Sequence, residues 1–247
     1  MKKEKVINPL PSLTKYIAQS GVCSRRRATE LVEAHKVLVN HQLALEPGYR
    51  VKPTDTVVVQ GEPIQKQRKV YILINKPKDY ITTTSDEKGR RCVTDLVTPF
   101  VSERLYPVGR LDRTTTGLLL MTNDGELAQK LSHPKYEVAK VYHVTLQNSL
   151  AQQHLMEIKA GLELEDGLVH VDFVDYLEKK SSIVIQLHSG KNRIVRRLFE
   201  HFGYIVKKLD RVGYAGLTKT GLTVGKWRAL TAAEVHALKH PNHISAR

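Results

Sequence analysis

The sequence predicts an α+β fold in which a small N-terminal region precedes a larger domain. Before residue 62, two short helical patterns lead into brief β-type runs, and after residue 69 apolar runs of strand length dominate while helices are few. The second region therefore predicts a mixed, mainly antiparallel β-sheet with peripheral helices. We predict domains at 1–61 and 70–247, joined by a linker at 62–69, because EPIQKQRK is polar, contains proline and has no hydrophobic period.

The N-terminal region contains two predicted helices and two short strands. The first helix ends at Ser20-Gly21, and the apolar residues spaced for one of its faces are Leu13, Tyr16 and Ile17. Ser24 can cap a second helix. The inner face of this second helix is expected to comprise Ala28, Leu31, Val32 and His35. Short strands are predicted in the segments VLVN and VKPTDTVVV that follow.

The larger domain is predicted to consist mainly of strands. They are expected at residues 70–74, 118–121, 138–146, 169–174 and 182–187. Asp166-Gly167 indicates a hairpin turn between LELE and LVHV. One helix is predicted to begin near Gly125, and another at Thr231, where Glu234 completes a capping box.

A basic helix is predicted to begin close to Asn192 and to end near Gly203, where a glycine can form the C-terminal cap. Its apolar stripe is Val195, Leu198, Phe199 and Phe202, and its basic stripe is Arg193, Arg196 and Arg197. Arg196 is next to the apolar stripe, so burial of its guanidinium would require an anion nearby. For Arg193 and Arg197, a solvated basic face is an equal alternative.

The composition restricts the class of protein and its partners. A formal net charge of +14 favours a polyanion, with nucleic acid ahead of an anionic membrane surface, for which we find no suitable amphipathic helix. No segment approaches the roughly 20 apolar residues that a bilayer requires, and the N-terminal segment lacks the apolar run of a signal peptide. With two cysteines and no clustered metal-ligand motif, the sequence predicts a cytoplasmic protein without a bound metal.

One carboxylate lies at a distinctive junction in the larger domain. In the segment YPVGRLDRTTTGLLLMTNDG, Asp112 follows a glycine-arginine turn and precedes an apolar strand. Gly109 allows backbone angles that other residues resist, so a turn can hold the acid in place. The tetrapeptide GRLD alone is more typical of a solvated surface pair of arginine and aspartate.

Five segments together give the chain a family resemblance. They are LTKYIAQSGVCSRRRATELVEAHKVLVN, NKP, GRLD with its following turn, KVY and GKNRIVRR. From about Leu13 to Leu238, the chain resembles the pseudouridine synthases of the RsuA and RluB branch, and most of all the RluB group of large-subunit ribosomal RNA enzymes. The resemblance implies a catalytic domain preceded by an S4 RNA-binding domain.

The resemblance also implies roles for individual residues. Asp112 would be the catalytic carboxylate, Arg196 the basic partner that keeps it ionised, and Tyr142 the ring that stacks on the target base. From the strand pattern alone, Tyr142 is more typical of a core residue. Base contacts are implied for Leu187 and Arg110. Further RNA contacts are implied for Lys15, Arg25, Arg26, Arg27, Lys191, Asn192, Arg193 and Arg197.

The three consecutive arginines at the start of the second helix support a phosphate-binding role. The helix dipole disfavours cations in a first turn by a few tenths to about 1 kcal/mol each. Free backbone amides combined with guanidinium groups suit a phosphate. The alternative is a solvated run of charges.

These features predict an enzyme that isomerises a uridine of ribosomal RNA, with large-subunit RNA favoured, to pseudouridine. The reaction changes neither the atoms nor the oxidation state of the nucleoside, so we expect no cofactor, and we expect a monomer. The alternative is a non-catalytic S4-type RNA-binding or ribosome-assembly factor, in which Asp112 would be dispensable.

Overall fold

The computed structural model describes residues 10–240, which divide into two compact units between Lys69 and Val70. The ends of the predicted domains, residues 1–9 and 241–247, lie outside the described residues. Within the described range, no helix combines the length and apolar character needed to cross a bilayer.

The first unit packs two helices with a four-stranded antiparallel sheet of order β2-β1-β3-β4. Its elements are α1 (Leu13–Gln19), α2 (Arg25–Glu33), β1 (Val37–Val39), β2 (Gln42–Leu43), β3 (Val57–Val59) and β4 (Glu62–Ile64). Ser24 accepts a hydrogen bond from the Arg27 backbone N–H, which confirms the predicted cap of α2.

Two expectations for the first unit are wrong. The helix α2 ends at Glu33, and His35 is exposed with a φ of 56°, so it is not part of the inner face. The predicted linker begins too early, because residues 62–64 form β4, in which Ile64 pairs with Val57 and is buried. Pro63 is tolerated there because β4 is an edge strand.

The second unit is a nine-stranded sheet with four α-helices and a separate hairpin. The strands of the sheet are β5 (Tyr71–Lys76), β6 (Tyr106–Pro107), β7 (Thr116–Thr122), β8 (Lys140–Leu146), β11 (Phe173–Tyr176), β12 (Ser182–Leu187), β13 (Val206–Tyr214), β14 (Leu217–Thr218) and β15 (Trp227–Ala229). The hairpin consists of β9 (Leu162–Leu164) and β10 (Gly167–Val169). The helices are α3 (Gly125–Ser132), α4 (Gln152–Ala160), α5 (Ile194–Glu200) and α6 (Ala232–Lys239).

The sheet is mixed and mainly antiparallel, so the predicted α+β class is confirmed. Its strand order is β11-β12-β8-β13-β7-β5-β15, with β14 added to β13 and β6 added to β7. The strands β7 and β13 run parallel, whereas the other strand pairs of this sheet are antiparallel. Because β7 and β8 both flank β13, the loop before β7 and the side chains of β8 lie in the same region of the sheet.

Local predictions in the second unit are largely confirmed. The hairpin at Asp166-Gly167 forms, α3 begins at Gly125, and Thr231 caps α6 in a capping box with Glu234. The single strand expected at 169–174 is wrong. Val169 ends β10, residues 170–172 lie between the strands, and β11 begins at Phe173. The basic helix α5 begins at Ile194, two residues later than expected.

The central strands are buried on both faces. In β7, Leu119 and Met121 join one hydrophobic cluster, whereas Leu118 and Leu120 join another on the opposite face, and all four lack accessible surface. This strand therefore anchors the loop of Asp112, which immediately precedes it, to the buried centre of the domain.

Candidate active site

A cavity of about 320 Å³ lies beside the loop between β6 and β7. It is lined by the loop itself, by β8 and β13, and by the start of α5. Among the described residues, its lining contains five lysine or arginine residues but only one carboxylate, that of Asp112. The cations are Arg110, Lys140, Lys191, Arg193 and Arg211. Such a cavity is suited to an acid acting on a polyanion.

The loop of Asp112 is held by its own backbone. Val108 N–H donates to Leu120 O (2.8 Å), which continues the pairing of β6 with β7, and Thr115 N–H donates to Asp112 O (3.1 Å). Gly109 has a φ of 73°, a conformation that favours glycine. The Asp112 carboxylate is partly exposed and makes no hydrogen bond or ion pair with residues 10–240, so it is available to a ligand in the cavity.

The segment after β5 holds this loop on both sides of Asp112. Thr82 Oγ1 donates to Leu111 O (2.6 Å) and accepts from Leu111 N–H (3.1 Å). On the other side, Asp79 N–H donates to Arg113 O (2.9 Å), and Arg113 Nε donates to Asp79 Oδ1 (2.9 Å). The residues before and after the carboxylate are therefore tied to one neighbouring segment.

Lys76 completes this support from the interior. Its side chain has no accessible surface, and Nζ donates to the backbone oxygens of Pro77 (3.0 Å), Tyr80 (2.8 Å) and Arg113 (3.4 Å). Burial lowers the pKa of Lys76 to about 8, although the nearby charges of Asp112 and Asp79 raise it. The NKP motif thus contributes a buried amine that fixes the backbone around Asp112.

For the uridine isomerisation that the resemblance implies, we expect Thr82→Val to lower the single-turnover rate about ten-fold, because loss of the hydroxyl leaves Leu111 without these two hydrogen bonds and loosens the loop. Thr82→Ser should restore most of the rate, since it keeps the hydroxyl. Affinity for RNA should be unchanged in both variants. Equal rates for the valine and serine variants would show that Thr82 does not position the loop.

Arg196 is buried as predicted, but its contacts differ from the prediction. Its side chain is 8% exposed, Nη1 donates to Val206 O (3.2 Å) and Nη2 donates to Thr114 Oγ1 (3.3 Å). The expected ion pair within 4.0 Å of Asp112 is not found among the described residues. Burial lowers the pKa of Arg196, the charge of Arg193 lowers it further, and the carboxylate of Asp112 raises it. The two charges therefore interact without contact, and Arg196 holds the loop through Thr114.

The other basic residues of this motif make ion pairs at the surface. Arg193 Nη2 lies 3.2 Å from Glu200 Oε1, and Arg197 Nη2 lies 2.8 Å from Asp166 Oδ2. Lys191 Nζ donates to Asp166 O (2.6 Å) at the tip of the β9–β10 hairpin. Of the four predicted RNA contacts here, Lys191 and Arg193 line the cavity; the other two, Asn192 and Arg197, are not among its lining residues.

The predicted base-contacting residues differ in their placement. Tyr142 lies on β8, is 8% exposed and lines the cavity, and the exposed Arg110 lines it as well. Leu187 has no accessible surface and is not a lining residue, so the structure does not bring it to the cavity, and its implied base contact stays a prediction. The side chain is instead part of the hydrophobic core.

Three residues of the site were not found from the sequence. Lys140 Nζ donates to Val138 O (2.9 Å) and His188 O (2.8 Å), and burial together with the charge of Arg211 lowers its pKa to about 8 although Asp172 raises it. Arg211 and Thr82 carry no sequence signal, because each reaches the site through contacts distant in the chain. The KVY motif could have indicated Lys140.

The first unit has its own basic concavity. It is lined by Lys15, Arg25 and Arg50 together with the residues around Ser12 and Gly48. Arg25, Arg26 and Arg27 are exposed in the first turn of α2, and Arg27 pairs with Glu30 at 2.7 Å. Lys15 and Arg25 thus lie on one surface that a phosphate can reach.

A partly exposed, unpaired acid in a cationic cavity, in a chain whose other unit presents arginines at a helix start, is typical of an enzyme that acts on nucleic acid. The family of RNA pseudouridylate synthases matches residues 70–201, and the S4 domain matches residues 13–57. The chain therefore belongs to the RNA pseudouridine synthases and carries an S4 domain.

Similar proteins agree with this assignment. The chain is 42% identical over 232 residues to ribosomal large subunit pseudouridine synthase B of Bacillus subtilis (strain 168), covering 92% of this chain and 95% of the relative. It is 37% identical over 230 residues to the dual-specificity RNA pseudouridine synthase RluF of Escherichia coli (strain K12), covering 90% and 76%. A crystal structure of a pseudouridylate synthase shares the fold, with a TM-score of 0.66 and 23% identity over 92% of this chain and 99% of that one.

Proposed function

We propose that this enzyme converts a specific uridine of large-subunit ribosomal RNA into pseudouridine, with Asp112 as the catalytic carboxylate. The observation that carries the proposal is the cavity that the unpaired Asp112 and the aromatic Tyr142 line together with five cationic residues. The names of the similar Bacillus subtilis and Escherichia coli proteins support RNA as the substrate, and the first of them supports the large subunit.

The geometry supports a division of roles within the cavity. The target nucleotide must leave its stack to reach an enclosed acid, and Tyr142 offers a ring on which the extruded base can stack. Asp112 then acts at the ribose or the uracil, as nucleophile or as base. The exposed Arg110 and Arg193, with Lys191, lie where they can contact phosphates of the flanking RNA. A monomeric, cytoplasmic enzyme without a cofactor is part of this proposal.

The decisive experiment is to map pseudouridine across ribosomal RNA in cells with and without the gene. We expect one or a few large-subunit positions to lose the modification in the deletion strain. Wild-type protein should restore them, and the Asp112→Asn protein should not. An unchanged map would favour the non-catalytic RNA-binding alternative, and loss of positions only in small-subunit RNA would correct the substrate.

The first unit is expected to contribute affinity and not chemistry. Changing Arg25, Arg26 and Arg27 together to alanine should weaken RNA binding and reduce the slope of log affinity against log salt by up to about 0.9 for each phosphate interaction removed. Because Arg27 is already paired with Glu30, we expect a reduction equivalent to about two phosphates. An unchanged slope would assign these arginines to a solvated surface. The single-turnover rate at saturating RNA serves as the control and should be retained.

A further inference from the structure

The cavity contains one buried cation that the proposed roles do not use. Arg211 lies on β13, is 2% exposed and lines the cavity. Its Nε donates to Leu118 O (2.7 Å), but its Nη2 is buried without a hydrogen-bond partner within residues 10–240. A guanidinium that is buried with an unused donor is costly, since most buried polar atoms find partners.

The backbone places Arg211 next to the ring proposed to stack on the base. In the antiparallel pair of β8 and β13, Arg211 lies directly opposite Tyr142. Residues in such positions project to the same face of the sheet with Cβ atoms about 5 Å apart. The bulge that follows Arg211 breaks the register of β13 at this point, and bulges next to active sites redirect side chains.

The guanidinium is held firmly in this position. Its Cζ lies 4.6 Å from the ring centroid of Tyr214, which also lines the cavity, and the hydrogen bond to Leu118 O fixes its other edge. On the β7 side, a Cβ on Gly117 would collide with the backbone of Arg211, so glycine allows the two strands to approach. The guanidinium is therefore held in place before any ligand binds.

Depth within the cavity distinguishes Arg211 from the other cations. Arg110 and Arg193 are exposed, which suits the phosphates of an RNA chain. The Lys140 amine already donates to two backbone oxygens. Of the five lining cations, Arg211 is thus the one that combines nearly complete burial with a donor lacking a partner in the described structure. In an extruded nucleotide the base would insert most deeply, and it is the group that Arg211 would meet.

The reaction itself creates a negative charge on that base. When the C1′–N1 bond of uridine breaks, its electron pair leaves with uracil, and the ring shares one negative charge among N1, O2 and O4. The ribose C1′ is left electron-deficient or is held as an ester of Asp112, and it accepts an electron pair from C5 of the rotated uracil, with any ester bond breaking as the C5–C1′ bond forms. C5 then loses its proton and N1 gains one, so the product is an isomer. A fixed donor at a position where charge develops stabilises it without reorganisation.

We propose that Arg211 donates a hydrogen bond to a carbonyl oxygen of the target uracil and stabilises the uracil anion while it is detached from the ribose. The proposal rests on the proposed function, because it requires uridine isomerisation in this cavity. It makes Arg211 a catalytic residue whose contribution is greatest in the anionic state and small in the bound substrate.

The test compares Arg211→Gln and Arg211→Lys with wild type and with Arg228→Gln. Arg228 lies on β15, outside the cavity lining, and its loss removes the same charge. The substrate is a large-subunit ribosomal RNA fragment carrying the mapped uridine. We expect Arg211→Gln to lower the single-turnover rate at saturating RNA by about 100-fold or more. Arg211→Lys should lower it less, and RNA affinity should change by no more than about three-fold in every variant.

A second substrate separates charge stabilisation from structural damage. Fluorine at C5 stabilises the detached anion, so the ratio of wild-type to variant rates should be smaller for RNA carrying 5-fluorouridine at the target position. The readout is loss of the 5-fluorouridine nucleoside after complete digestion. Merely misplaced catalytic groups would give the same ratio for both RNAs. If Arg211→Gln does not fold, Arg211→Lys provides the same comparison.

Two results would overturn the proposal. One is a rate within about three-fold of wild type in Arg211 variants whose melting temperatures fall by less than about 4 °C. The other is an equal ratio of rates on the uridine and 5-fluorouridine RNAs. Lack of turnover by the wild-type enzyme on any large-subunit fragment would instead reject the proposed function, so the two failures are distinguishable.

Discussion

Asp112→Asn is expected to reduce the single-turnover rate by at least about 1,000-fold, the largest effect of any single substitution in this chain. The amide has nearly the same size as the carboxylate but neither carries its charge nor accepts a proton. Release of tritium from RNA labelled at C5 of uridine measures the loss directly. Affinity for RNA should stay within a few-fold, because the carboxylate faces a cationic cavity and its removal does not weaken attraction for phosphates.

The matched control for this substitution is Asp175→Asn. Asp175 lies exposed on β11 outside the cavity lining, and it accepts a hydrogen bond from the adjacent Tyr176 N–H. We expect wild-type turnover from this variant. Asp112→Asn should also melt at nearly the wild-type temperature, because the carboxylate makes no hydrogen bond or ion pair with the described residues. Turnover by a folded Asp112→Asn protein would remove the aspartate from the mechanism.

Features governed by residues close together in the chain were predictable from the sequence. The strand β7 follows from its continuous apolar run and the start of α6 from its capping box, and α3 begins at Gly125 as expected. The loop of Asp112 belongs to this class, since Gly109 adopts a positive φ and the loop leads directly into β7. Local backbone chemistry determines each of them.

Several elements lacked a local signal. The helix α4 has alanine at its N-cap and no side-chain cap, so no start signal precedes it. The strand β4 contains a proline and has the composition of a linker, although pairing with β3 is compatible with proline at a sheet edge. The apolar pattern at 169–174 did not reveal the break between β10 and β11, because the break depends on which partners those strands find.

The candidate site also combines residues that the local sequence indicates with residues that only distant contacts bring into place. Asp112 and Tyr142, which the resemblance singled out, both line one cavity, and their roles stay predictions. Arg211 could not be predicted because its burial depends on the parallel pairing of β7 with β13, between residues more than 90 positions apart. The burial of Leu187 away from the cavity could not be predicted, because a motif specifies order along the chain and not which side chains reach the cavity.

Arg196→Ala is expected to lower both stability and turnover, and so to distinguish Arg196 from Arg193, which precedes α5, and Arg197, which follows Arg196 in it. It leaves Val206 O and Thr114 Oγ1 without their donor, which should lower the free energy of unfolding by about 1–3 kcal/mol. Because Thr114 is two residues from Asp112, the loop should also shift, with a rate loss of about 100-fold. Urea unfolding and single-turnover assays measure the two effects.

Arg193→Ala and Arg197→Ala are the matched controls, because both residues make surface ion pairs instead of buried hydrogen bonds. Each should change the free energy of unfolding by only about 0–1 kcal/mol. Arg196→Lys distinguishes charge from geometry, since it keeps a cation near Asp112 but loses the planar fork that reaches both acceptors. Partial recovery of the rate by lysine is expected, because the charges of Arg196 and Asp112 interact without contact. If Arg193→Ala or Arg197→Ala lowered both the free energy of unfolding and the single-turnover rate as much as Arg196→Ala, the buried guanidinium would have no special role in positioning the loop of Asp112.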